Sequence, residues 1–503
     1  MPSREVYGQA MALFQRGQLA EAEGLYRQLL SADPNAFAPR HMLGLVLAQQ
    51  GRLAEARDAI ETALAHAPRD SAALVNYGNV LTLLGRFGDA VASYHRALVI
   101  APDAQTWNNR GNALQSLDRK DQALASFEKA LRLEPGNIQA LYKRGVLLGE
   151  MKYSDEALAS YDRVLALDPN HVEALNNRGF LWWLNKQNCP RAIADLERAF
   201  ALAPDLPYLR GLLLHLKMYA ADWARFEEQK SEIAEGIRAG RQVARPFMFQ
   251  AVSDRPEELQ ACARLYARDL FPPSATAPRH DPAMRKCHAK IRLGYVSGEF
   301  REQATAILMA GLYERHDRDR FEVIAVDNAS ADQGAMSARL KKAFDHWIDI
   351  GELRDGEAAE KIRAAGIDIL VNLNGYFGKH RLGVFAGRPA PLQVNYLGFP
   401  GTLGAAYMDY IIADEMVIPK DEHRFYDEQV VTLPGCYQVN DDRGRPMAPI
   451  PGRAEAGLPE RGFVFCNFNQ SYKLTPDIFA CWMRLLKQVD LSVLWLLKAK
   501  PPF

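Results

Sequence analysis

Near its end the chain sets a glutamine and a lysine directly ahead of a helix start, in Gln470-Ser471-Tyr472-Lys473-Leu474-Thr475-Pro476, where Thr475 is a good N-cap and Pro476 suits the first turn. A fixed cation beside the positive end of a helix dipole is an anion site of the kind that holds a phosphate. A solvated surface lysine satisfies the same spacing. Two other stretches could approach a ligand with bare backbone. Gly398-Phe399-Pro400-Gly401-Thr402-Leu403-Gly404 follows a strand-like run and holds three glycines, and Asn372-Leu373-Asn374-Gly375-Tyr376-Phe377-Gly378-Lys379 follows another. Either is also readable as a tight strand exit needing positive φ, and neither matches the dinucleotide or P-loop fingerprints. A last set is a row of amides: Asn76, Asn109 and Asn177 recur at one position of a repeating pattern, where Met42 and Lys143 stand in two further units. Asparagine offers a donor and an acceptor, so such a row can pair with the backbone of an extended peptide whatever its side chains, or can simply be tolerated on a solvated helix face.

The elements that must position these residues fall into two kinds. Over residues 1–204, prolines at Pro34, Pro68, Pro102, Pro135, Pro169 and Pro204 are spaced by 34, 34, 33, 34 and 35 residues. Gly44, Gly78, Gly111, Gly145 and Gly179 recur in the first half of the units, Ala22, Ala56, Ala90, Ala123, Ala157 and Ala192 in the second. A larger side chain follows each alanine by four positions, at Tyr26, Ile60, Tyr94, Phe127, Tyr161 and Leu196, so that large residues fill the space left by small ones. This helix-turn-helix pattern closely resembles the tetratricopeptide repeat, in six units. Stacked units make a superhelix with a concave face suited to a protein or peptide. The position two before each repeated glycine lies ~200° around the first helix and faces that groove.

From residue 205 to about 286 the period is lost and a helical cap and connector is expected, with helices over Leu209–Met218 and Pro256–Leu270. Beyond a loop-like stretch, Phe271 to Asp281, short β-rich runs alternate with helical ones: 291–297, 321–327, 346–350, 367–373, 392–397, 410–413 and 429–433. That alternation predicts a mainly parallel sheet covered on both faces, with ligands beyond the carboxyl ends of its strands. This α/β region spans 287–457. A second begins at Phe463-Val464-Phe465-Cys466-Asn467 and supplies one β-α-β turn within 458–503, fewer elements than a doubly covered sheet needs.

Composition narrows the function. The 503 residues carry 61 Lys plus Arg and 61 Asp plus Glu, a net charge of zero, which offers no global field for nucleic acid or an anionic membrane. Apolar runs fall short of the ~18 residues of a membrane span. After Met1 no secretory signal is read, and the six cysteines show neither paired nor metal-type spacing. A cytoplasmic protein with reduced thiols is expected.

Several motifs in order carry a family resemblance: Gly294-Tyr295-Val296-Ser297, Asn374-Gly375-Tyr376, Arg388-Pro389-Ala390-Pro391, Leu397-Gly398-Phe399-Pro400-Gly401-Thr402, Met408-Asp409-Tyr410-Ile411-Ile412 and Phe468-Asn469-Gln470-Ser471-Tyr472-Lys473. With the repeats, they resemble the O-GlcNAc transferase and SPINDLY glycosyltransferase family over nearly the whole chain. The resemblance implies a repeat superhelix followed by an α/β GT-B-type, Rossmann-like catalytic region, here with an incomplete second, donor-binding lobe. It implies inverting transfer of GlcNAc from UDP-GlcNAc to Ser or Thr of proteins, with no metal or other cofactor. Lys473 and Gln470 would contact the donor diphosphate, Gly398, Pro400, Gly401 and Thr402 would line the sugar pocket, and Asn76, Asn109, Asn177 and Tyr376 would bind the acceptor. The family often has a histidine where Phe300-Arg301-Glu302-Gln303 places Gln303, an amide that hydrogen-bonds but takes no proton at neutral pH. A second family histidine matches His346, in a catalytic role or as a satisfied residue at a strand start. Because the rest of the second lobe carries most nucleotide contacts in the family, the 503-residue chain is expected to bind donor weakly and to be inactive or nearly so. The alternatives are a GDP-fucose-type transferase and a peptide-binding scaffold without catalysis, and a homodimer is compatible with the exposed half-built sheet.

Overall fold

The computed structural model describes residues 2–185, 188–275, 277, 288–329, 333–442 and 449–497. The chain divides into two compact units, Met1–Leu202 and Ala203–Phe503.

The first unit is six helix pairs, from α1 (Pro2–Gln15) and α2 (Leu19–Ala32) to α11 (Val172–Leu184) and α12 (Cys189–Leu202). The small-against-large pattern of the sequence is its packing. A Cβ on Gly44, Gly78, Gly111, Gly145 or Gly179 would fall 2.4–2.8 Å from Ile60, Tyr94, Phe127, Tyr161 or Leu196 of the following helix. Asp70, Asp103 and Asn137 cap the first helices of three pairs by accepting from the backbone N–H of Ala73, Thr106 and Ala140. The first helices α3 (Phe37–Gln49), α5 (Ser71–Leu83), α7 (Ala104–Ser116), α9 (Ile138–Glu150) and α11 approach one another more closely than the second helices do. That inequality curls the stack with the first helices on its inner face.

The second unit opens with α13 (Leu209–Tyr219), α14 (Phe226–Arg238), α15 (Pro246–Gln250) and α16 (Pro256–Leu270). It then lays down seven strands: β1 (Ile291–Ser297), β2 (Phe321–Asp327), β3 (His346–Asp349), β4 (Ile369–Asn372), β5 (Leu392–Tyr396), β6 (Tyr410–Ala413) and β7 (Gln429–Thr432). They form one parallel sheet in the order β3-β2-β1-β4-β5-β6-β7. Alternation sorts the side chains. Leu293, Tyr295, Val323 and Ala325 pack against Met309, Ala310 and Tyr313 of α17 (Ala304–Arg315) and Leu340 of α18 (Ala335–Ala343). Val296, Ile324 and Val326 pack on the opposite face against α19 (Asp355–Ala364), α20 (Leu382–Ala386) and Ala263, Tyr266 and Ala267 of α16. The last helix of the connector is therefore part of this core, where it completes the cover that α19 and α20 give to that face of the sheet. A second, two-stranded parallel sheet, β8 (Val464–Asn467) and β9 (Val493–Leu496), is crossed over by α21 (Pro476–Gln488). No helix among the described residues is long and apolar enough to cross a membrane.

Candidate functional site

Four loops leave the carboxyl ends of the parallel strands and are tied to one another. The Gly298 N–H donates to Asn374 Oδ1 at 3.1 Å, joining the loop after β1 to the loop after β4. Asn328, after β2, donates from Nδ2 to the Lys379 carbonyl at 2.9 Å. The Gly398 N–H, after β5, donates to the Leu373 carbonyl at 3.2 Å. A Cβ on Gly398 would lie 2.2 Å from that same carbonyl oxygen, so the close approach needs glycine here.

The glycine-rich loop after β5 is gripped from below. Asn395 Nδ2 donates to the Phe399 carbonyl at 2.9 Å, and the Tyr376 hydroxyl to the Leu403 carbonyl at 2.6 Å. The Phe399 ring rests on that of Tyr376 at 5.5 Å between centroids. Thr402 Oγ1 donates to Glu428 Oε2, and the Leu403 N–H to Glu428 Oε1, each at 2.7 Å. Burial pushes the Glu428 carboxyl above its ordinary range, against the opposing pull of Thr402 and Leu403. Thr402 and Tyr376 are thus buried side chains whose hydroxyls point into the fold and hold the loop. Expected on the ligand side, both instead support the backbone of 398–401. A cavity of about 230 Å³ borders this loop at Phe399, Gly401 and Thr402, with Gln250, Leu259 and Tyr426 among its walls.

The same carboxyl edge keeps several buried polar atoms without a hydrogen-bond partner in the protein: Asn328 Oδ1, Asn372 Nδ2, Asn374 Nδ2, Asn395 Oδ1 and Arg301 Nε. Gln303 stands at this edge as the exposed N-cap residue of α17, its side chain making no capping bond.

His346 does not join them. It begins the edge strand β3, and its Nε2 pairs with Glu322 Oε1 at 2.6 Å while Glu322 Oε2 accepts from Arg292 Nε at 2.7 Å. The hydrogen bonds from His346 and Arg292 hold the Glu322 carboxyl below its ordinary range. β3 runs parallel to β2, so its carboxyl end is Asp349, three residues further on. The imidazole leans instead toward the amino-end partners Glu322 and Arg292, the satisfied strand-start arrangement.

The lysine and glutamine of the C-terminal motif sit on a short 3₁₀ turn, Ser471–Lys473, in which the Lys473 N–H donates to the Gln470 carbonyl at 3.0 Å. Gln470 and Lys473 are exposed, and among the described residues no carboxylate lies within ion-pair distance of Lys473. The turn leads into α21, whose N-cap Thr475 accepts from the Ile478 N–H. Ser471 and Tyr472 anchor it. Ser471 Oγ donates to the Tyr219 carbonyl at 2.8 Å, and the Tyr472 ring is buried 4.8 Å from each of His215 and Tyr219. Phe247 of α15 then touches both Tyr472, at 6.1 Å, and Phe377 of the loop after β4, at 5.2 Å. One ring thus links the cationic turn to the carboxyl-edge loops. These anchors carried no local signal, since Ser471 and Tyr219 are 252 residues apart. No group of three or more His, Cys, Asp or Glu among the described residues is arranged to hold a metal ion.

In the first unit the asparagines reach back to the preceding repeat. Asn76 Nδ2 meets His41 Nε2 at 3.0 Å, Asn109 Nδ2 donates to Asn79 Oδ1 at 3.1 Å, and Asn177 Nδ2 to the Tyr142 hydroxyl at 3.2 Å. Each amide uses one hydrogen to lock adjacent repeats and keeps further capacity at the inner face.

Comparison with known proteins follows the same division. Residues 275–447 and 445–501 match glycosyl transferase family 41. Residues 6–36, 41–105, 104–137 and 138–171 match tetratricopeptide repeats. The probable UDP-N-acetylglucosamine--peptide N-acetylglucosaminyltransferase SEC of Arabidopsis thaliana is 38% identical over 243 residues, 47% of this chain and 25% of its own length. The UDP-N-acetylglucosamine--peptide N-acetylglucosaminyltransferase of Caenorhabditis elegans is 27% identical over 321 residues, 42% of this chain and 28% of its own. The chain thus spans about a quarter of the length of the curated relatives it matches. Among solved structures, a mutant of the Thermobaculum terrenum O-GlcNAc transferase superposes with a TM-score of 0.51 at 27% identity, over 78% of this chain and 68% of that one.

Proposed function

We propose, for a chain whose residues 275–501 belong to glycosyl transferase family 41 and whose residues 6–171 match tetratricopeptide repeats, that it acts in protein O-glycosylation, moving GlcNAc from UDP-GlcNAc to Ser or Thr of acceptor proteins with inversion. The observation that carries this reading is the Lys473 turn: an exposed cation and an amide at the start of α21, anchored by Tyr472 and spaced by Phe247 from the carboxyl-edge loops. A diphosphate placed there meets a fixed charge and the positive end of a helix dipole, which stabilise the negative charge that builds on it as the sugar bond breaks. In this reading no metal is needed for that task. The backbone of Gly398, Pro400 and Gly401 walls the sugar, Thr402 and Tyr376 hold that wall, and Gln303 hydrogen-bonds at the mouth of the site without taking the acceptor's proton. The inner face of the repeats, with Asn76, Asn109 and Asn177, holds the acceptor chain. The free thiols Cys189, Cys262, Cys436, Cys466 and Cys481 suit a reducing compartment such as the cytoplasm.

Calorimetric titration of the chain with UDP and, separately, GDP tests the donor assignment. UDP is expected to bind in preference to GDP, and Lys473→Met to weaken it about 10- to 100-fold by removing a charge-assisted contact. Equal affinity for both nucleotides, or a Lys473→Met variant that binds UDP unchanged, overturns it.

A further inference from the structure

The inner face of the repeat unit is mostly neutral amides with one cation, Lys143, set among them; Glu173, in the next pair, is paired with His171 at 3.2 Å. The rung position is Met42, Asn76, Asn109, Lys143 and Asn177 in the second to sixth pairs. The amides near the lysine are tied together: Gln105 donates to Asn109 Oδ1 at 2.9 Å, Asn108 to Gln139 Oε1 at 3.0 Å, and Asn177 to the Tyr142 hydroxyl at 3.2 Å. Lys143 does not make the backward hydrogen bond of its neighbours. Its ammonium instead stands 6.0 Å from the centroid of the Tyr142 ring. The side chain is half-buried, and among the described residues no carboxylate lies within ion-pair distance of it. The neighbouring Arg144 is already engaged on the other side of its helix, with Ser160 Oγ at 2.7 Å and Glu128 at 3.8 Å. Arg178 is likewise taken, by Asp162 and Asp195, each at 2.6 Å. Arg144 and Arg178 are therefore met by carboxylates within the fold and Arg110 is held by Ser126 Oγ at 2.6 Å, while the rung lysine has neither kind of partner among the described residues.

We propose that Lys143 makes the inner face of the repeats select acceptor segments that carry a carboxylate side chain where the chain crosses the fifth pair. This rests on the reading that the repeats hold the acceptor, and it adds a charge preference to a ladder otherwise indifferent to side chains. A half-buried lysine gains more from a carboxylate than a fully solvated one does, because water screens it less. The neutral rungs on either side give a peptide carboxylate no competing partner, so the preference falls on one residue of the bound segment.

Fluorescence anisotropy of the full chain tests this with a labelled neutral peptide rich in Ser, Thr, Pro and Gln, and with its single Gln→Glu variants, one per position. At one position, or two adjacent ones, Glu is expected to tighten binding about fivefold. The gain, read as the ratio of Glu-peptide to Gln-peptide affinity within each variant, should shrink at high salt and vanish in Lys143→Asn, which completes the amide row. Lys143→Gln serves as a second variant should the first lower the melting temperature. Binding indifferent to Glu at every position, or a Glu preference that survives both substitutions, overturns the inference and leaves repeat-held acceptors standing. Failure of all the peptides to bind overturns the acceptor reading itself, and this inference with it.

Discussion

The two edges of the seven-stranded sheet are finished in opposite ways, one with ion pairs and the other with amides. At the amino edge the charges are matched: Glu322 serves both Arg292 and His346, Asp368 meets His288 at 3.3 Å, and Asp345 meets Arg318 at 3.1 Å. At the carboxyl edge, buried amide atoms of Asn328, Asn372, Asn374 and Asn395 have no partner in the protein, and the loops are held from beneath by Tyr376 and Glu428. The amino edge is matched in its charges, with the buried Gln393 Oε1 as an unpartnered exception. Leaving such groups unpaired costs about 1–3 kcal/mol each, and the function proposed above gives those of the carboxyl edge a ligand to offset it. The contrast separates a histidine that is satisfied within the fold from loops that keep spare hydrogen-bonding capacity.

The comparison can be broken most decisively at Gly398. A methyl group there meets the Leu373 carbonyl, so Gly398→Ala should shift the loop by several tenths of an ångström or more and lower transfer, or UDP-GlcNAc binding, about 100-fold, while circular dichroism shows the fold retained. Undiminished binding would mean that this loop is only a strand exit. Thr402→Val should cost about 1–3 kcal/mol in urea unfolding, because the buried Glu428 loses a donor that nothing replaces. A stability change below that range would show the grip on the loop to be redundant.

Acid sharpens the contrast next. Burial pushes the imidazoles of His215 and His380 down to about 4, with Arg245 adding to the effect at His380. Both stay neutral in the folded chain while the unfolded chain protonates below about 6.5. Stability is therefore full above pH 6.5 and falls by about 3 kcal/mol for each as the pH drops to 4. Urea unfolding of His215→Phe, which keeps an aromatic ring beside Tyr219 and Tyr472, should show a shallower slope; an unchanged slope excludes His215 as a source. The smallest effect is expected at His346→Ala. Loss of an exposed ion pair should cost less than about 1 kcal/mol and leave UDP binding untouched, and a large fall in affinity would return His346 to the site.

How much of this was legible in the sequence depended on the range of the interaction. The repeats announce themselves because each glycine meets a residue of its own unit, Gly78 against Tyr94 for example, so the constraint recurs with the period. The seven strands fall within about two residues of the β-rich runs, since a sheet covered on both faces needs apolar side chains on every strand. The turn before α21 is readable from its cap. Thr402 and Tyr376 were picked out by motif, yet the direction of their hydroxyls is set by Glu428 and by the Leu403 carbonyl, partners 26 and 27 residues away with no local mark. Helix α14 and the docking of Tyr472 were not legible at all, because they answer to surfaces folded from distant parts of the chain.

Phe247 has a consequence of a different kind. It is a spacer: its ring alone, among the contacts described, sets the gauge between a turn that carries a charge and loops that offer backbone. A change in the size of that one side chain would alter their separation without touching Lys473 or Gly398. In the function proposed above, the distance from the charged turn to the glycine-rich loop would thus depend on how a five-residue helix packs.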